Sequence, residues 1–425
     1  MTSLAEWLER IERLHARPID LGLDRVRAVA DRLALRLPGV KFVVAGTNGK
    51  GSTCAMLEGI LLAAGYRVGA YTSPHLLRFN ERARIDGREA SDAELVAQLE
   101  AVEAARGETS LTYFEFTTLA ILRLFGEQSL DALVLEVGLG GRLDAVNIVD
   151  ADCAILTSID LDHAEYLGDS RERIGWEKAH VMRPGRPAIC SDPQPPQSVL
   201  DHAREIDADL RLLGRDFRLG GDRQQWAWAG REQRRGGLAY PALRGANQLQ
   251  NAAGVLAALE AVRDRLAVTA QDVRRGFAGL TLPGRFQVLP GRPVVVLDVA
   301  HNPHAAAHLA HNLRSMGFFR RTWGVFGMLS DKDIDGVIAH MLPVVERWIC
   351  CSLPGPRGSS AAALAARLRD AGVTAHSEDD PAVACVPTAA DAVALARERA
   401  GQNDRIVVFG SFLTVADALA GGRNA

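Results

Sequence analysis

Val43-Val-Ala-Gly-Thr-Asn-Gly-Lys-Gly-Ser52 is the stretch on which the reading of this chain turns. An apolar strand, Phe42 to Ala45, runs into a glycine-rich turn, and a helix-like run follows from Thr53 to Ala64. A strand that ends in glycines and opens a helix aims successive backbone N–H groups at one point, and the helix dipole adds positive potential there. That geometry suits a polyphosphate, with Lys50 able to reach the terminal phosphates and Ser52 able to hold Mg²⁺. The spacing is G-x-x-G-K-G-S and not the commoner G-x-x-x-x-G-K-[ST]. Val44 stands where the latter has its first glycine, and Gly51 separates lysine from serine. An ordinary βα turn has no need of Gly46, Gly49, Lys50, Gly51 and Ser52 at these places, so ATP is the expected ligand.

Outward from this loop, apolar strands alternate with helical stretches. The strands read as Arg67 to Thr72, Ala132 to Val137, Cys153 to Ile159 and Pro187 to Cys190, preceded by two amphipathic helices within residues 4–37. Such alternation predicts a mainly parallel sheet with helices on both faces. Residues 210–243 turn polar and Gly/Arg-rich, with Trp226 and Trp228 alternating with small residues, and read as a small antiparallel β segment; a long helix pattern returns from Asn247 to Arg265. The proline- and glycine-rich run Leu282 to Pro293 marks a boundary. Strands Val294 to Val299, Thr322 to Phe326, Arg347 to Cys351 and Arg405 to Phe409 then alternate with helices, among them alanine-rich ones at 361–371 and 388–400.

The fold expected is therefore α/β: an N-terminal, mostly parallel P-loop ATPase-like domain (1–283), a hinge (284–293) and a Rossmann-like C-terminal domain (294–425). Ligands in open α/β sheets lie at the carboxyl ends of strands, which predicts a cleft between the domains. A length of 425 residues accommodates this division. A net charge of −3 with 24 % charged residues offers no basic surface for nucleic acid. The six cysteines show no C-x-x-C spacing and fit reduced, mostly buried thiols. No signal-peptide pattern and no run of 18 apolar residues occurs, so a cytoplasmic chain without a membrane span is expected.

Polar residues gather where the strands end. Glu136 closes an apolar strand directly before Gly138-Leu-Gly-Gly-Arg-Leu-Asp144, where a carboxylate can bind Mg²⁺ directly or through water. Asp160-Leu-Asp-His163 follows the next strand; His163 read alone fits a structural histidine as well as a metal ligand. Tyr71-Thr-Ser-Pro-His-Leu76 places Ser73 and His75 on a loop because Pro74 cannot lie within a central strand, and a plain turn accounts for it equally. Asp298, His301 and Asn302 cluster at a strand end of the second domain and suggest a ligand edge.

In order along the chain, Gly46–Ser52, Thr72–Leu76, Thr112–Glu115, Leu135–Asp144, Leu161–His163, Glu177–Ala179, Gln250–Ala253, Pro283–Gln287, Asp298–Pro303 and Phe409–Phe412 resemble the bacterial dihydrofolate synthase/folylpolyglutamate synthase family, part of the Mur-ligase-like superfamily of ATP-dependent amide ligases. The resemblance implies ligation of L-glutamate to 7,8-dihydropteroate and of further glutamates to reduced folates, by a cytoplasmic monomer that uses neither nucleic acid nor membrane. It implies that Thr47, Asn48, Gly49, Lys50, Gly51 and Ser52 cradle the triphosphate, with Asn251, Arg285 and Asp298 as further nucleotide contacts. Two Mg²⁺ sites follow from it: Ser52 and Glu136 serve one, and Ser73, Glu136 and His163 the other. Lys178 sits where the family carries a lysine carbamylated by CO₂ whose carboxylate helps hold the second metal. Lys50, Glu136, His163 and Lys178 are thus the expected catalytic residues. Thr112, Tyr113, Phe114 and Glu115, with Leu143, Asp144 and Ala145, fall where the pterin substrate is seated. Two departures stand out: Asn247 replaces a usual histidine, and His180 replaces a frequent glycine. The alternative, a cell-wall muramoyl-peptide amino-acid ligase, shares the loop and the chemistry; the 45 residues before Gly46 leave little room for its separate nucleotide-sugar module.

Overall fold

In the computed structural model the apolar runs before and after the glycine-rich loop assemble into one eight-stranded sheet. Its strands are β1 (Val40–Ala45), β2 (Val68–Tyr71), β3 (Ala83–Ile85), β4 (Arg88–Glu89), β5 (Ala132–Glu136), β6 (Cys153–Leu156), β7 (Pro187–Cys190) and β8 (Asp209–Leu212), ordered β4-β3-β2-β5-β1-β6-β7-β8. β1 is flanked in parallel by β5, with Val44 opposite Glu136, and by β6, with Ala45 opposite Leu156. β3 and β4 run antiparallel at one edge. The central strands are buried on both faces, as their near-continuous apolar runs require: Phe42, Val43, Val44, Leu133, Val134 and Leu135 have no exposed surface. The structure describes residues 2–222, 224–243, 245–374 and 382–422.

The chain divides into two units, one of residues 1–242 with 248–280 and one of residues 243–247 with 281–425. In the first, α1 (Leu4–Glu12), α2 (Asp24–Arg32), α3 (Lys50–Ala63), α4 (Asp92–Arg106), α5 (Tyr113–Gly126), α6 (Ala164–Leu167) and α7 (Arg171–Ala179) precede three further helices. Helix α3 begins at Lys50, three residues before the run that its apolar pattern marks, because the loop itself supplies the first turn. The strand expected from Cys153 to Ile159 stops at Leu156, and Thr157 onward leaves the ladder to lace the loop in place.

The segment expected to be wholly antiparallel divides. Asp209–Leu212 pairs in parallel with β7 and extends the main sheet, which its charged ends hid. Only β9 (Arg218–Gly221), β10 (Trp226–Ala229) and β11 (Arg234–Leu238) form the antiparallel sheet. The alternation at Trp226 and Trp228 puts both indoles inside, and Trp228 Nε1 donates to Ala253 O of the Ala246–Ala261 helix at 3.1 Å. That helix is also held by Glu260, a buried carboxylate that accepts the backbone N–H groups of Arg231, Glu232 and Gln233 at 3.2, 3.1 and 2.7 Å.

The second unit has a sheet of β12 (Gln287–Leu289), β13 (Val294–Leu297), β14 (Thr322–Phe326), β15 (Arg347–Cys351), β16 (Val383–Val386) and β17 (Arg405–Phe409), ordered β12-β13-β17-β14-β15-β16. All pairings are parallel except β12 with β13. Residues 284–293 are thus not a bare connector. Gln287–Leu289 is an edge strand, and Pro290 to Pro293 form the turn that returns the chain into β13. Phe326, Trp348 and Phe409 pack ring against ring at 5.1–5.9 Å centroid separation in the core of this unit. Among the described residues, no helix is long and apolar enough to cross a membrane.

Glu260→Ala removes a charged acceptor from three backbone donors, each such bond contributing about 1.5–3 kcal/mol. The variant should unfold at clearly lower urea concentration, with a loss of about 3 kcal/mol in extrapolated stability; an unchanged midpoint would show that the small sheet is not anchored through this carboxylate.

Candidate active site

The loop between β1 and α3 owes its path to two glycines. Gly46 has φ +151° and Gly49 φ +93°; a Cβ on Gly46 would sit 1.7 Å from Thr157 Oγ1, and one on Gly49 2.6 Å from Asn251 Oδ1. Only a residue without a side chain fits between β1 and these neighbours, and only glycine takes the left-handed turn at no steric cost. The exit of β6 then fastens the loop. Thr47 N–H donates to Ser158 O at 2.7 Å, and Thr47 Oγ1 both donates to Asp160 O at 2.9 Å and accepts from Asp160 N–H at 3.0 Å. Ser158 Oγ donates to Asn48 O at 3.1 Å and accepts from Asn48 N–H at 3.3 Å.

Two lysines meet on the carbonyl of Gly46. Lys50 Nζ donates to Gly46 O at 3.0 Å and to Thr47 O at 3.2 Å, and Lys178 Nζ donates to the same Gly46 O at 3.0 Å. Lys178 lies in the last turn of α7 and is 4 % exposed. Burial in low dielectric, reinforced by the Lys50 charge, pushes its ammonium down to about 7. The amine is therefore available in neutral form near physiological pH, as carbamylation requires.

The strand ends around β1 bring oxygen donors into the same region. Glu136, 3 % exposed at the end of β5, accepts the N–H of Ser73, the second residue after β2, at 3.1 Å. Ser52 in the first turn of α3 accepts from Gln248 Nε2 at 3.3 Å, and Asn251 Nδ2, one helical turn on, donates to Gln248 Oε1 at 3.1 Å. His163 holds φ +52°, a conformation rare for a side-chain-bearing residue and concentrated at functional sites. Its backbone N–H donates to Asp162 Oδ1 at 2.9 Å. Hydroxyls and carboxylates at strand ends suit a hard cation such as Mg²⁺ or Mn²⁺. Among the described residues no three His, Cys, Asp or Glu side chains form a metal cluster. The set expected from the sequence is of another kind, of serine hydroxyls, one carboxylate, an imidazole and a lysine.

The stretch from Thr112 opens α5 with a reciprocal cap: Glu115 N–H donates to Thr112 Oγ1 at 3.2 Å, and Thr112 N–H to Glu115 Oε2 at 2.8 Å. Arg25 of α2 donates to Glu115 Oε1 at 3.1 Å, so this buried carboxylate is engaged structurally. Phe114 stacks on Tyr71 at 6.2 Å and packs on Gly138. Tyr113 lies against Phe79, with the Arg82 guanidinium 5.6 Å from its ring centre. Arg82 Nε also donates to His75 Nδ1 at 2.9 Å; burial and that cation push His75 down to about 4, so its ring is neutral. Asp144, after Leu143, caps the short helical turn that starts at Ala145. Asp144 accepts the N–H groups of Leu139 and Val146 at 2.8 and 2.9 Å, and burial pushes it up to about 6.

In the second unit, Asp298 at the end of β13 accepts from Phe286 and Ala300 N–H at 2.9 and 2.8 Å, and burial pushes its carboxyl upward. The Arg285 guanidinium lies 5.1 Å over the Phe412 ring. Asn302 caps the Pro303–Ser315 helix, and His301 Nδ1 lies 2.8 Å from Val299 O. Sequence reading alone passed over Thr157, Ser158, Gln248, Arg25 and Arg82. Gln248 had a signal, since it sits one helical turn before Asn251; the others act through tertiary contacts.

The Mur ligase middle domain family matches residues 44–189, and the Mur ligase glutamate ligase domain family matches residues 284–412. The chain is 45 % identical over 417 residues to the dihydrofolate synthase/folylpolyglutamate synthase of Escherichia coli strain K12, covering 98 % of this chain and 94 % of that one. Its structure superposes on E. coli FolC in complex with DHPP and ADP with a TM-score of 0.93 and 43 % identity, covering 100 % and 99 % of the two chains. A bifunctional folylpolyglutamate synthase/dihydrofolate synthase with Mn, AMPPNP and L-glutamate bound superposes with a TM-score of 0.91 and 45 % identity, covering 100 % and 98 %.

A methyl group at residue 49 would press on Asn251 and strain the turn. Gly49→Ala should therefore weaken ADP binding by about tenfold or more, or about 1.4 kcal/mol, in a calorimetric titration; full affinity would count against this loop as the phosphate cradle.

Proposed function

The chain belongs to the dihydrofolate synthase/folylpolyglutamate synthase family, and on that premise we propose that it joins L-glutamate to 7,8-dihydropteroate and to reduced folates at the expense of ATP. The observation that carries this reading is the meeting of Lys50 and the buried Lys178 on Gly46 O. A plain nucleotide-binding switch has no use for a second, desolvated lysine at the phosphate loop. The cell-wall ligase alternative is related at the level of the superfamily, whereas the near full-length relatives are folate enzymes.

A carboxylate resists attack by an amine because oxide is a poor leaving group. The substrate carboxylate oxygen attacks the γ-phosphorus, the β–γ bridging bond breaks, and ADP departs. The acyl phosphate then receives the glutamate nitrogen at its carbonyl carbon; the C–N bond forms, phosphate leaves, and the amine gives up a proton. Little covalent work falls to the protein, which must position the reactants and spread charge. The N–H groups of residues 49–52, where α3 opens, surround the phosphates, and Lys50 turns from its own loop carbonyls toward the γ-phosphoryl oxygens. Asn251 orients Gln248 and through it Ser52. Arg285 and Asp298 are further candidate nucleotide contacts.

ATP acts with a divalent metal ion. Ser52 and Glu136 would hold one Mg²⁺, and Ser73, Glu136, His163 and a carbamylated Lys178 a second. When bound, the ions neutralise phosphate charge and make the phosphorus more electrophilic. Tyr113, Phe114, Leu143 and Ala145 offer a flat apolar seat for a pterin, with Asp144 a hydrogen-bonding partner. Thr112 and Glu115 shape that seat by fixing the start of α5.

Purified protein with ATP, Mg²⁺ and L-glutamate should release ADP when dihydropteroate is added, and again with tetrahydrofolate, giving products heavier by one glutamyl residue. Turnover with a muramoyl nucleotide in place of both would overturn the assignment. Lys50→Ala and Glu136→Ala should each abolish ligation while leaving the circular dichroism spectrum intact. Protein equilibrated with ¹³C-bicarbonate should show one carbamate resonance that disappears in Lys178→Arg; its persistence would place the carbamate elsewhere.

A further inference from the structure

Two histidines with no part in the reaction above lie one turn apart on the 13-residue Pro303–Ser315 helix. His304 and His308 occupy positions i and i+4, which a helix sets on one face. Their Nε2 atoms are 3.3 Å apart and their ring centroids 4.5 Å apart, and both side chains are partly buried. We propose that this pair is a binding site for a borderline divalent transition-metal ion such as Ni²⁺, Zn²⁺ or Cu²⁺, held by both Nε2 atoms with water completing the coordination.

The distance carries the argument. Zinc–imidazole bonds of about 2.0–2.1 Å to two nitrogens that far apart enclose an angle of about 105–110°, close to tetrahedral. Neither side chain has to leave its rotamer, so little conformational entropy is lost on binding. Ligand chemistry separates this site from the nucleotide site: paired imidazoles favour Cu²⁺, Ni²⁺ and Zn²⁺, whereas Mg²⁺ keeps to oxygen donors. Two imidazole ligands leave the remaining coordination positions open to exchange. A bound ion staples the first two turns of a helix that begins immediately after Asp298, His301 and Asn302, and stabilises the folded chain by mass action.

The test uses the whole chain, saturated with Mg²⁺ and ADP, in a calorimetric titration with NiCl₂. One site of the unaltered protein should weaken by about tenfold or more in His308→Gln, and Ni²⁺ should raise the thermal transition of the unaltered protein but not of the variant. Equal affinity and stoichiometry in both would overturn the proposal. Should His308→Gln fold poorly, His304→Gln gives the same comparison. On unaltered protein labelled with ¹⁵N-histidine, Zn²⁺ should shift two ring-nitrogen signals together, and the absence of any shift would likewise overturn it.

Discussion

Two lysine side chains pointing at one peptide oxygen is an arrangement that ordinary packing avoids, and the first unit is organised around it. Gly46 O accepts from Lys50, carried by the helix that starts at the loop, and from Lys178, which arrives from α7 well over a hundred residues later. The oxygen is available to both only because Gly46 turns with φ +151° against Thr157. Desolvation and the neighbouring charge lower the affinity of Lys178 for its proton. Backbone conformation, burial and chemical reactivity are in this way parts of one constraint.

The remainder of the first unit can be understood as support for that point. β1 lies between β5 and β6, so the exits of three parallel strands are adjacent. One presents the loop, one presents Glu136, and one supplies Thr157, Ser158 and Asp160 as fastenings. The Ala246–Ala261 helix brings Gln248 and Asn251 to the loop and is itself held by Trp228 and Glu260. The tryptophan-bearing sheet thereby bears on the glycine-rich loop. Rigid support of this kind lets a site built from loops hold its geometry.

The two units differ in the residue types that they carry at strand ends. The first gathers lysines, hydroxyls and a carboxylate suited to phosphate and hard cations. The second, with Asp298, Arg285, His301 and Asn302 at the ends of β13 and the start of its following helix, offers hydrogen-bonding groups of mixed charge. Its family match is to a glutamate ligase domain. Both sheets use the same rule, that carboxyl ends of parallel strands leave polar groups exposed to a ligand.

Much of this was legible along the chain. The loop, the alternating apolar runs and the residues at strand ends depend on local pattern, which periodicity and glycine placement encode directly. Thus β1, β5, β7, β13, β14, β15 and β17 stand where apolar runs put them. The sequence could not tell that Asp209–Leu212 joins the main sheet, or that Gln287–Leu289 is a strand, because edge strands are short and weakly apolar and their state is decided by a partner. Nor could it show that Glu115, which looks like a substrate ligand, is engaged by Arg25, or that Lys178 shares an acceptor with Lys50. Those facts rest on contacts between residues far apart in sequence, and only burial within the folded chain sets the dielectric that tunes a lysine.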